Sequence, residues 1–281
     1  MGHFGHILFP IDFSPQTSAV IPYVAAFARR LDSKVTLLSV VPPIWVGRAA
    51  QPERASDLEI STKHRLERTV TAEVHGLAVE RVVRSGEAAE QIAAYARDNA
   101  VDLVMMPTHG YGVFRSALIG SVTAKVLHDA ACPVWTAAHA AEQHARLVPE
   151  AMLCCVDGTP KSVELMRWAA DFSARWGARL QLVHVIPPVS DWGAIVGDGR
   201  MQEAECKAAQ ACIDVLRAEA GVDAPLTVAV GAIATMVAEH AKQAGADLII
   251  IGRGQIGATL GRLRTHAYRI IQHSPCPVVS V

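Results

Sequence analysis

The residues best suited to bind a ligand lie in a glycine-rich stretch in the first half of the chain. Gly110 is followed, after nine residues, by the run Gly120–Thr123, which reads Gly-Ser-Val-Thr. The apolar run Leu103–Met106 predicts a buried strand before the glycines, and the pattern after Gly120 predicts a helix. Such a connection suits phosphate binding, because bare backbone can approach an anion and the first N–H groups of the helix point at it. The hydroxyls of Ser121 and Thr123 would be additional donors. An ordinary strand–loop–helix connection would also place glycine at its turns, so both interpretations stay open.

Composition argues against several classes of function. The 281 residues carry a formal net charge of −1, and 51% of them are hydrophobic. This balance gives no indication of binding to nucleic acid or to a membrane surface. No apolar run approaches the roughly 20 residues of a membrane helix, and no signal peptide is recognisable. The six cysteines form no CxxC pair, so no metal site is predicted. We therefore expect a cytoplasmic protein.

A repeat divides the chain into two copies. Asp12 ends an apolar run that recurs before Asp157, at a distance of 157 − 12 = 145 residues. The motif Cys132-Pro133-Val134 recurs from Cys276, at a distance of 276 − 132 = 144 residues. One residue has therefore been lost from the second copy. A period of this length indicates duplicated domains rather than a solenoid.

Each copy predicts the element order β-α-β-α-β-α-β-α-β. Strongly apolar strands alternating with helices indicate an α/β fold with a parallel sheet and helices on both faces. We predict a first domain over residues 1–138, a linker over 139–148 and a second domain over 149–281. Ser14 and Thr159 are each followed by proline, and we predict both as N-caps of a first helix.

The parallel sheet brings the candidate residues to one edge. Asp12 ends the first predicted strand, Val40 lies at the end of the second, and Met106 ends the fourth. Ligands of such sheets bind beyond the carboxyl ends of the strands, where Gly110 and the run Gly120–Thr123 also lie. An adenosine phosphate could place its base against the second strand and its phosphates on the glycine loop. Asp12 could reach the base, the ribose or a phosphate-bound metal, or could simply be a turn or cap residue. Val40 could likewise be a core residue only.

These motifs resemble the universal stress protein family. Its nucleotide signature is glycine, two residues, glycine, nine residues, glycine, then serine or threonine. Gly110, Gly120 and Ser121 fit this spacing, and the opening Asp12-Phe13-Ser14 and the ending Cys132-Pro133-Val134 fit the family as well. The resemblance covers nearly the whole chain and matches the tandem, two-domain form of the family.

The resemblance implies two Rossmann-like, five-stranded domains of the adenine nucleotide alpha hydrolase type. It also implies a cytoplasmic stress-response or signalling module that binds ATP or a related adenine nucleotide, with Mg²⁺ as a candidate companion ion. Enzymatic activity beyond weak ATP hydrolysis is not implied. The two domains would form an intramolecular pseudo-dimer, and the chain could also form a homodimer. The residues implied to line the nucleotide are Asp12, Val40, Met106, Gly110, Gly120, Ser121, Val122 and Thr123.

The sequence departs from the family pattern in both copies. The first glycine of the signature falls on Pro107, which has no N–H to donate. In the second copy, counting back from Cys276, Gly120 maps onto Arg264 and Thr123 onto Ala267. We therefore expect ATP in the first domain, and a degenerate site in a second domain that acts as a structural pseudo-partner.

The sequence contains features of other functions as well. A nucleotide-free interaction or scaffold protein, with both sites vestigial, stays open. The run Gly252–Gly257 fits the dinucleotide fingerprint, but no acidic residue follows Asp247 to bind a ribose. The arginine-rich segment 253–269 could be a solvated face or an anion site. His109 could assist slow hydrolysis or be a polar loop residue, and His184, within an apolar strand, is predicted to lie in the core. No G-x-S-x-G, Walker A or HExxH motif is present.

Overall fold

The chain folds into two units, residues 1–148 and 149–281. A computed structural model describes residues 4–43, 45–46, 49–50, 52–69, 73–110, 119–137, 146–188, 199–253 and 263–281. Each unit is a separate α/β domain, hereafter the first and the second domain.

The first domain contains a five-stranded parallel sheet. Its elements are β1 (His6–Pro10), α1 (Pro15–Leu31), β2 (Lys34–Val41), β3 (Trp45–Val46), β4 (Ala49–Ala50), α2 (Pro52–Arg68), β5 (Val79–Ser85), α3 (Ala88–Asp98), β6 (Leu103–Pro107), α4 (Ser121–Asp129) and β7 (Val134–Ala137). The strand order is β7-β6-β1-β2-β5, with every neighbouring pair parallel. The short strands β3 and β4 pair antiparallel with each other.

The second domain repeats this architecture. Its elements are β8 (Ala151–Cys155), α5 (Lys161–Trp176), β9 (Arg179–Ile186), α6 (Gly199–Ala220), β10 (Leu226–Val230), α7 (Ile233–Ala244), β11 (Leu248–Ile251), α8 (Leu263–His273) and β12 (Val278–Ser280). The order β12-β11-β8-β9-β10 is again parallel throughout. The predicted fold, two tandem five-stranded α/β domains, is confirmed.

Burial explains why these strands are continuously apolar. Every residue of β1 and of β6 is buried, which requires cover on both faces of the sheet. The helices α3 and α4 pack against each other, whereas α1 packs against β6. Trp135 of β7 is fully buried, and its ring lies 5.1 Å from that of Tyr23 and 6.2 Å from that of Phe27. Because both faces are covered, open space for a ligand is left at the strand ends.

The first helices of the two domains begin differently. Ser14 caps α1 as predicted, and its hydroxyl accepts a hydrogen bond of 3.1 Å from Thr17 N. The prediction for Thr159 is wrong, because its hydroxyl donates to the Asp157 carboxylate at 2.7 Å instead of accepting from the helix. A carboxylate is the stronger acceptor, so it takes the hydroxyl proton, and α5 begins only at Lys161.

Candidate functional site

A cavity of ≈490 Å³ opens at the carboxyl ends of β1, β2 and β6 in the first domain. The loop after β6 and the start of α4 form its other walls. All eight residues implied by the resemblance line it, namely Asp12, Val40, Met106, Gly110, Gly120, Ser121, Val122 and Thr123. The predicted juxtaposition of these residues is therefore present, whereas their role as ligands stays a prediction.

One wall of the cavity is the amino-terminal end of α4. Gly120 occupies the cap position in an extended conformation and, having no side chain, makes no capping hydrogen bond of its own. The first intrahelical hydrogen bond runs from Ala124 N to Gly120 O at 2.8 Å. The N–H groups of residues 121–123 consequently have no partner within the helix. The first turn carries no acidic side chain, so these N–H groups and the helix dipole favour an anion at this point.

The two hydroxyls beside these N–H groups differ in availability. Ser121 is exposed at the helix start. Thr123 is only 2% exposed, and its hydroxyl donates to the carbonyl of Pro107 at 3.1 Å. Its single proton is therefore committed to the fold, and the expectation that both hydroxyls donate to a ligand is reduced to Ser121. Pro107 has no N–H but acts as an acceptor that ties β6 to α4.

The fold constrains the two glycines of the signature to different degrees. A Cβ on Gly110 would lie 2.0 Å from Asp12 Oδ2, a distance that real atoms do not reach. A Cβ on Gly120 would lie 3.4 Å from His109 Cα, which is an ordinary contact. Gly120 also has φ −61° and ψ 150°, which any residue can adopt. The fold therefore explains Gly110, whereas Gly120 keeps the cavity wall free of a side chain.

Asp12 holds the start of α1 and also faces the cavity. Its Oδ1 accepts hydrogen bonds from Ser14 N at 2.9 Å and from the Thr17 hydroxyl at 2.6 Å. Its Oδ2 is the atom that lies against Gly110. The capping role considered from the sequence is thus present in the structure. Oδ2 remains in position to meet a ligand, a base, a ribose hydroxyl or a metal held by a phosphate.

Another part of the cavity lining is mainly apolar. Leu38 and Val40 come from β2, and Ala88 and Ile92 come from α3. Sequence reasoning did not include the two α3 residues. Their i, i+4 spacing puts them on one face of that helix, and this was the available signal. A cavity lined both by apolar side chains and by open helix N–H groups suits a ligand with a flat apolar part and a charged part.

Titratable groups are few at the cavity. Among the lining residues that the structure describes, Asp12 and His109 carry such groups. The Nδ1 of His109 lies 3.0 Å from the hydroxyl of the buried Thr108. This contact orients the ring beside the two glycines, and because Thr108 is buried, its hydroxyl is not exposed to act as a nucleophile. We see no catalytic arrangement around His109 among the described residues.

The equivalent region of the second domain is described only in part. Residues 254–262 lie outside the described residues, so of the three fingerprint glycines only Gly252 lies within the described part of the chain. Arg253 is engaged with β12, since its guanidinium donates to Ser280 O at 3.2 Å and its backbone N–H to Val281 O at 2.9 Å. This arginine therefore contributes hydrogen bonds to the edge of the sheet. His184, predicted as core, is only half-buried, and its Nδ1 lies 2.8 Å from Val156 O.

Metal ligands and membrane-spanning helices can be considered over the described parts of the chain as a whole. No group of three or more His, Cys, Asp or Glu side chains is placed to hold a metal ion there. In the same residues, no helix combines the length and apolarity needed to cross a bilayer.

Comparison with known proteins defines the class to which these tandem α/β domains belong. A model of the universal stress protein family matches residues 3–137 and again residues 150–281. The chain therefore belongs to the universal stress protein family, in its tandem form. A universal stress protein of Mycolicibacterium smegmatis is 28% identical over 293 residues, which covers 98% of this chain and 96% of that protein.

Two other similarities cover the chain to different extents. A universal stress protein of Synechocystis is 31% identical over 131 residues, which is 46% of this chain and 41% of that protein. The crystal structure of a universal stress protein from Archaeoglobus fulgidus matches with a TM-score of 0.73 and 20% identity. This match covers 100% of this chain and 97% of the crystallised chain, so both domains share the fold.

Proposed function

We propose that the first domain binds ATP or a related adenine nucleotide, and that the protein acts as a nucleotide-dependent stress-response or signalling module in the cytoplasm. One observation carries this proposal. The same cavity is lined by the N–H groups of residues 121–123, which have no partner within the helix, and by the apolar side chains around Val40. A nucleotide has an anionic end and a flat, largely apolar end, and the two walls match these two ends.

Different residues would contact different parts of the nucleotide. The start of α4 and the Ser121 hydroxyl would hold a phosphate group. Val40 and the neighbouring apolar side chains would pack against the base, and Asp12 Oδ2 would meet the ribose, the base or a phosphate-bound Mg²⁺. Among the lining residues that the structure describes, none is arranged to activate water, so we expect hydrolysis to be slow or absent. The second domain, with Arg264 at the position of Gly120, would act as a structural pseudo-partner.

A matched pair of variants tests the proposal. Gly120→Arg gives the first domain the residue found in the second, and Arg264→Gly makes the reverse change. ATP at about 100 times its dissociation constant should stabilise the wild type by about 2.7 kcal/mol. We expect this nucleotide-dependent rise in melting temperature to vanish in Gly120→Arg and to persist in Arg264→Gly. The measurement should include AMP and ATP, each with and without Mg²⁺.

A nucleotide-free scaffold is the competing function, and two observations favour it. Pro107 cannot donate an N–H, and the hydroxyl of Thr123 is committed to its carbonyl. Mass spectrometry of small molecules released from the purified protein separates the two functions, together with the thermal measurement. If no nucleotide is released and millimolar ATP with Mg²⁺ leaves the wild-type melting temperature unchanged, the nucleotide proposal is wrong.

A further inference from the structure

A buried imidazole lies at the end of the first-domain sheet opposite the cavity. His6 is the first residue of β1 and is only 3% exposed. Its ring contacts α3, where it meets the ring of Tyr95 edge-on at 6.5 Å. Neither the proposed nucleotide site nor the packing of the core requires a titratable group at this position.

Both ring nitrogens of His6 have hydrogen-bond partners. Nδ1 lies 3.1 Å from the carbonyl of Asn99, at the end of α3. Nε2 lies 2.9 Å from the hydroxyl of Thr36, which is fully buried in β2. The Thr36 hydroxyl in turn lies 3.4 Å from Glu80 Oε2, and the Tyr95 hydroxyl lies 3.3 Å from the same oxygen. These contacts form a chain from His6 through Thr36 to Glu80, which we call the His6 relay.

The partners determine how the His6 relay can hold a proton. A carbonyl only accepts, so Nδ1 must carry a hydrogen. In the neutral ring Nε2 then accepts from the Thr36 hydroxyl. When the ring is protonated, Nε2 donates to Thr36, and the hydroxyl hydrogen can turn to the Glu80 carboxylate. Both charge states therefore keep a hydrogen-bond partner at each ring nitrogen, but burial of the ring still disfavours the charged one.

The His6 relay also connects the core to solvent. His6 and Thr36 are buried, whereas Glu80 is exposed on the edge strand β5. Strand register explains the connection, because Thr36 lies directly opposite Glu80 in the parallel pair β2–β5. A proton can thus pass between water and the buried ring along existing hydrogen bonds.

Several groups act on the His6 ring from the surrounding elements. Burial is the main influence and lowers the pKa of His6 below its ordinary value of about 6.5. The Asn99 carbonyl raises this pKa, Lys34 of β2 lowers it, and Asp102 and Glu80 raise it. Tyr95 faces the ring from α3, and the Arg84 guanidinium lies over the Tyr95 ring at 4.9 Å.

The sign of the resulting pH dependence follows from this direction. Well above pH 6.5 neither the folded nor the unfolded chain binds the proton, so His6 contributes no pH dependence there. As the pH falls from about 6.5 towards the lower folded-state pKa, the unfolded chain binds a proton that the folded domain does not. Stability is lost across this window.

The second domain provides an internal control. The equivalent of His6 is Ala151, since 151 − 6 = 145, and it is 6% exposed. The backbone bonds at the two positions match: Asp102 Oδ2 accepts from His6 N at 3.0 Å, and Asp247 Oδ2 accepts from Ala151 N at 3.1 Å. The strand therefore forms without an imidazole.

We propose that the His6 relay makes the first domain a proton sensor, which loosens in mildly acidic medium while the second domain does not. Ligands that bind the folded first domain would oppose this loosening, so acid and ligand would act on one domain in opposite directions. The proposal does not depend on which ligand occupies the cavity.

Hydrogen exchange of the full chain between pH 7.5 and 5.5 tests the proposal, after correction for intrinsic exchange rates. In the wild type, we expect the opening constant of amides in β1 and β2 to rise by up to about tenfold per pH unit below pH 6.5. Amides in β8 and β9 should not show this rise. In His6→Ala, which copies the second domain, the rise should disappear, whereas His64→Ala should keep it because His64 is an exposed histidine of the same domain. Persistence of the rise in His6→Ala would overturn the proposal.

A titration by nuclear magnetic resonance keeps the test independent of the folding of His6→Ala. The ring nitrogens of His6 in the wild type should titrate with a midpoint below 6.5. Thr36→Ser keeps the hydroxyl and should keep the midpoint, whereas Thr36→Val should lower it further, because the charged ring loses its acceptor. A midpoint at or above 6.5 in the wild type, or no change in Thr36→Val, would contradict the proposal.

Discussion

In both domains an aspartate follows the first strand and holds the start of the next helix. Asp12 accepts from Ser14 N and the Thr17 hydroxyl. Asp157 accepts from Thr159 N, the Thr159 hydroxyl and the Ser162 hydroxyl. The second domain keeps this aspartate although arginine replaces the later glycine. Capping is therefore sufficient to account for the aspartate, and features shared by the two domains describe the fold rather than the ligand.

The differences between the domains are more informative about function. In the first domain Gly120 is the residue before α4, whereas the residue that the count back from Cys276 aligns with it, Arg264, is the second residue of α8. Because Gly120 has ordinary torsion angles, the fold of the first domain does not explain why a side chain is absent there. A requirement for open space at the cavity does explain it. The comparison thus gives Gly120 a stronger connection to a ligand than it gives Asp12.

The largest effect on stability is expected from Gly110→Ala. The new Cβ would lie 2.0 Å from Asp12 Oδ2, so the carboxylate or the loop must move and the cap of α1 is disturbed. We expect a loss of about 2 kcal/mol in the free energy of unfolding, as for other overpacked sites. Gly120→Ala is the matched control and should cost about 0.5 kcal/mol or less. Equal losses in the two variants, measured by chemical denaturation, would remove the distinction drawn between these glycines.

A smaller effect is expected when either aspartate is replaced. Asp12→Ala and Asp157→Ala should each cost about 1 to 2 kcal/mol, since each removes two or more hydrogen bonds to a helix start. If Asp12 is only a cap, Asp12→Asn should leave the nucleotide-dependent rise in melting temperature unchanged. A reduced rise, with stability preserved, would show that Asp12 also meets the ligand.

The Asp157 carboxyl further predicts a dependence on pH. Burial acts to raise its pKa, but hydrogen bonds from Thr159 and Ser162 outweigh burial, so the pKa lies below its ordinary value. Its contribution to stability is present above pH about 4 and is lost as the pH falls through the folded-state pKa. Asp157→Asn should remove this acid-dependent part of the unfolding free energy of the second domain. An unchanged pH profile in that variant would contradict the assignment.

The smallest effect concerns the residue after each aspartate. Phe13 has φ 63° and its counterpart Gly158 has φ 76°, so both lie in the left-handed region. Arg65 stacks over the Phe13 ring at 4.1 Å, which offsets part of the strain. We expect Phe13→Gly to be more stable than Phe13→Ala by about 1 kcal/mol, and Gly158→Ala to lose a similar amount. Thermal unfolding of the three variants measures the backbone strain directly.

The sequence predicted the architecture well because its main signals are local or periodic. The repeat from Asp12 to Asp157 and the apolar strands determined the two parallel sheets, and the rule for strand ends brought Val40 and Met106 to the cavity. Prediction from the sequence is weaker where two acceptors compete for the proton of one hydroxyl. Thr159 was expected to cap a helix, but its hydroxyl donates to the Asp157 carboxylate; the Thr123 hydroxyl likewise donates to Pro107 O, while the place of Thr123 at a ligand stays a prediction. Such competition depends on tertiary distances, which spacing along the chain does not encode.

The way in which the ends of the loop from Thr108 to Gly120 are held has a consequence for ligand affinity. Gly120 N donates to Thr108 O at 2.8 Å, and the Thr123 hydroxyl donates to Pro107 O, so the ends of the segment are joined by the fold itself. Closing a loop of 120 − 108 = 12 residues costs about 2 kcal/mol in chain entropy. This entropy loss is part of the free energy of folding, so it does not occur again when a ligand binds. A ligand at the start of α4 therefore meets a preorganised donor set, and its affinity is not reduced by the entropy of bringing those ends together.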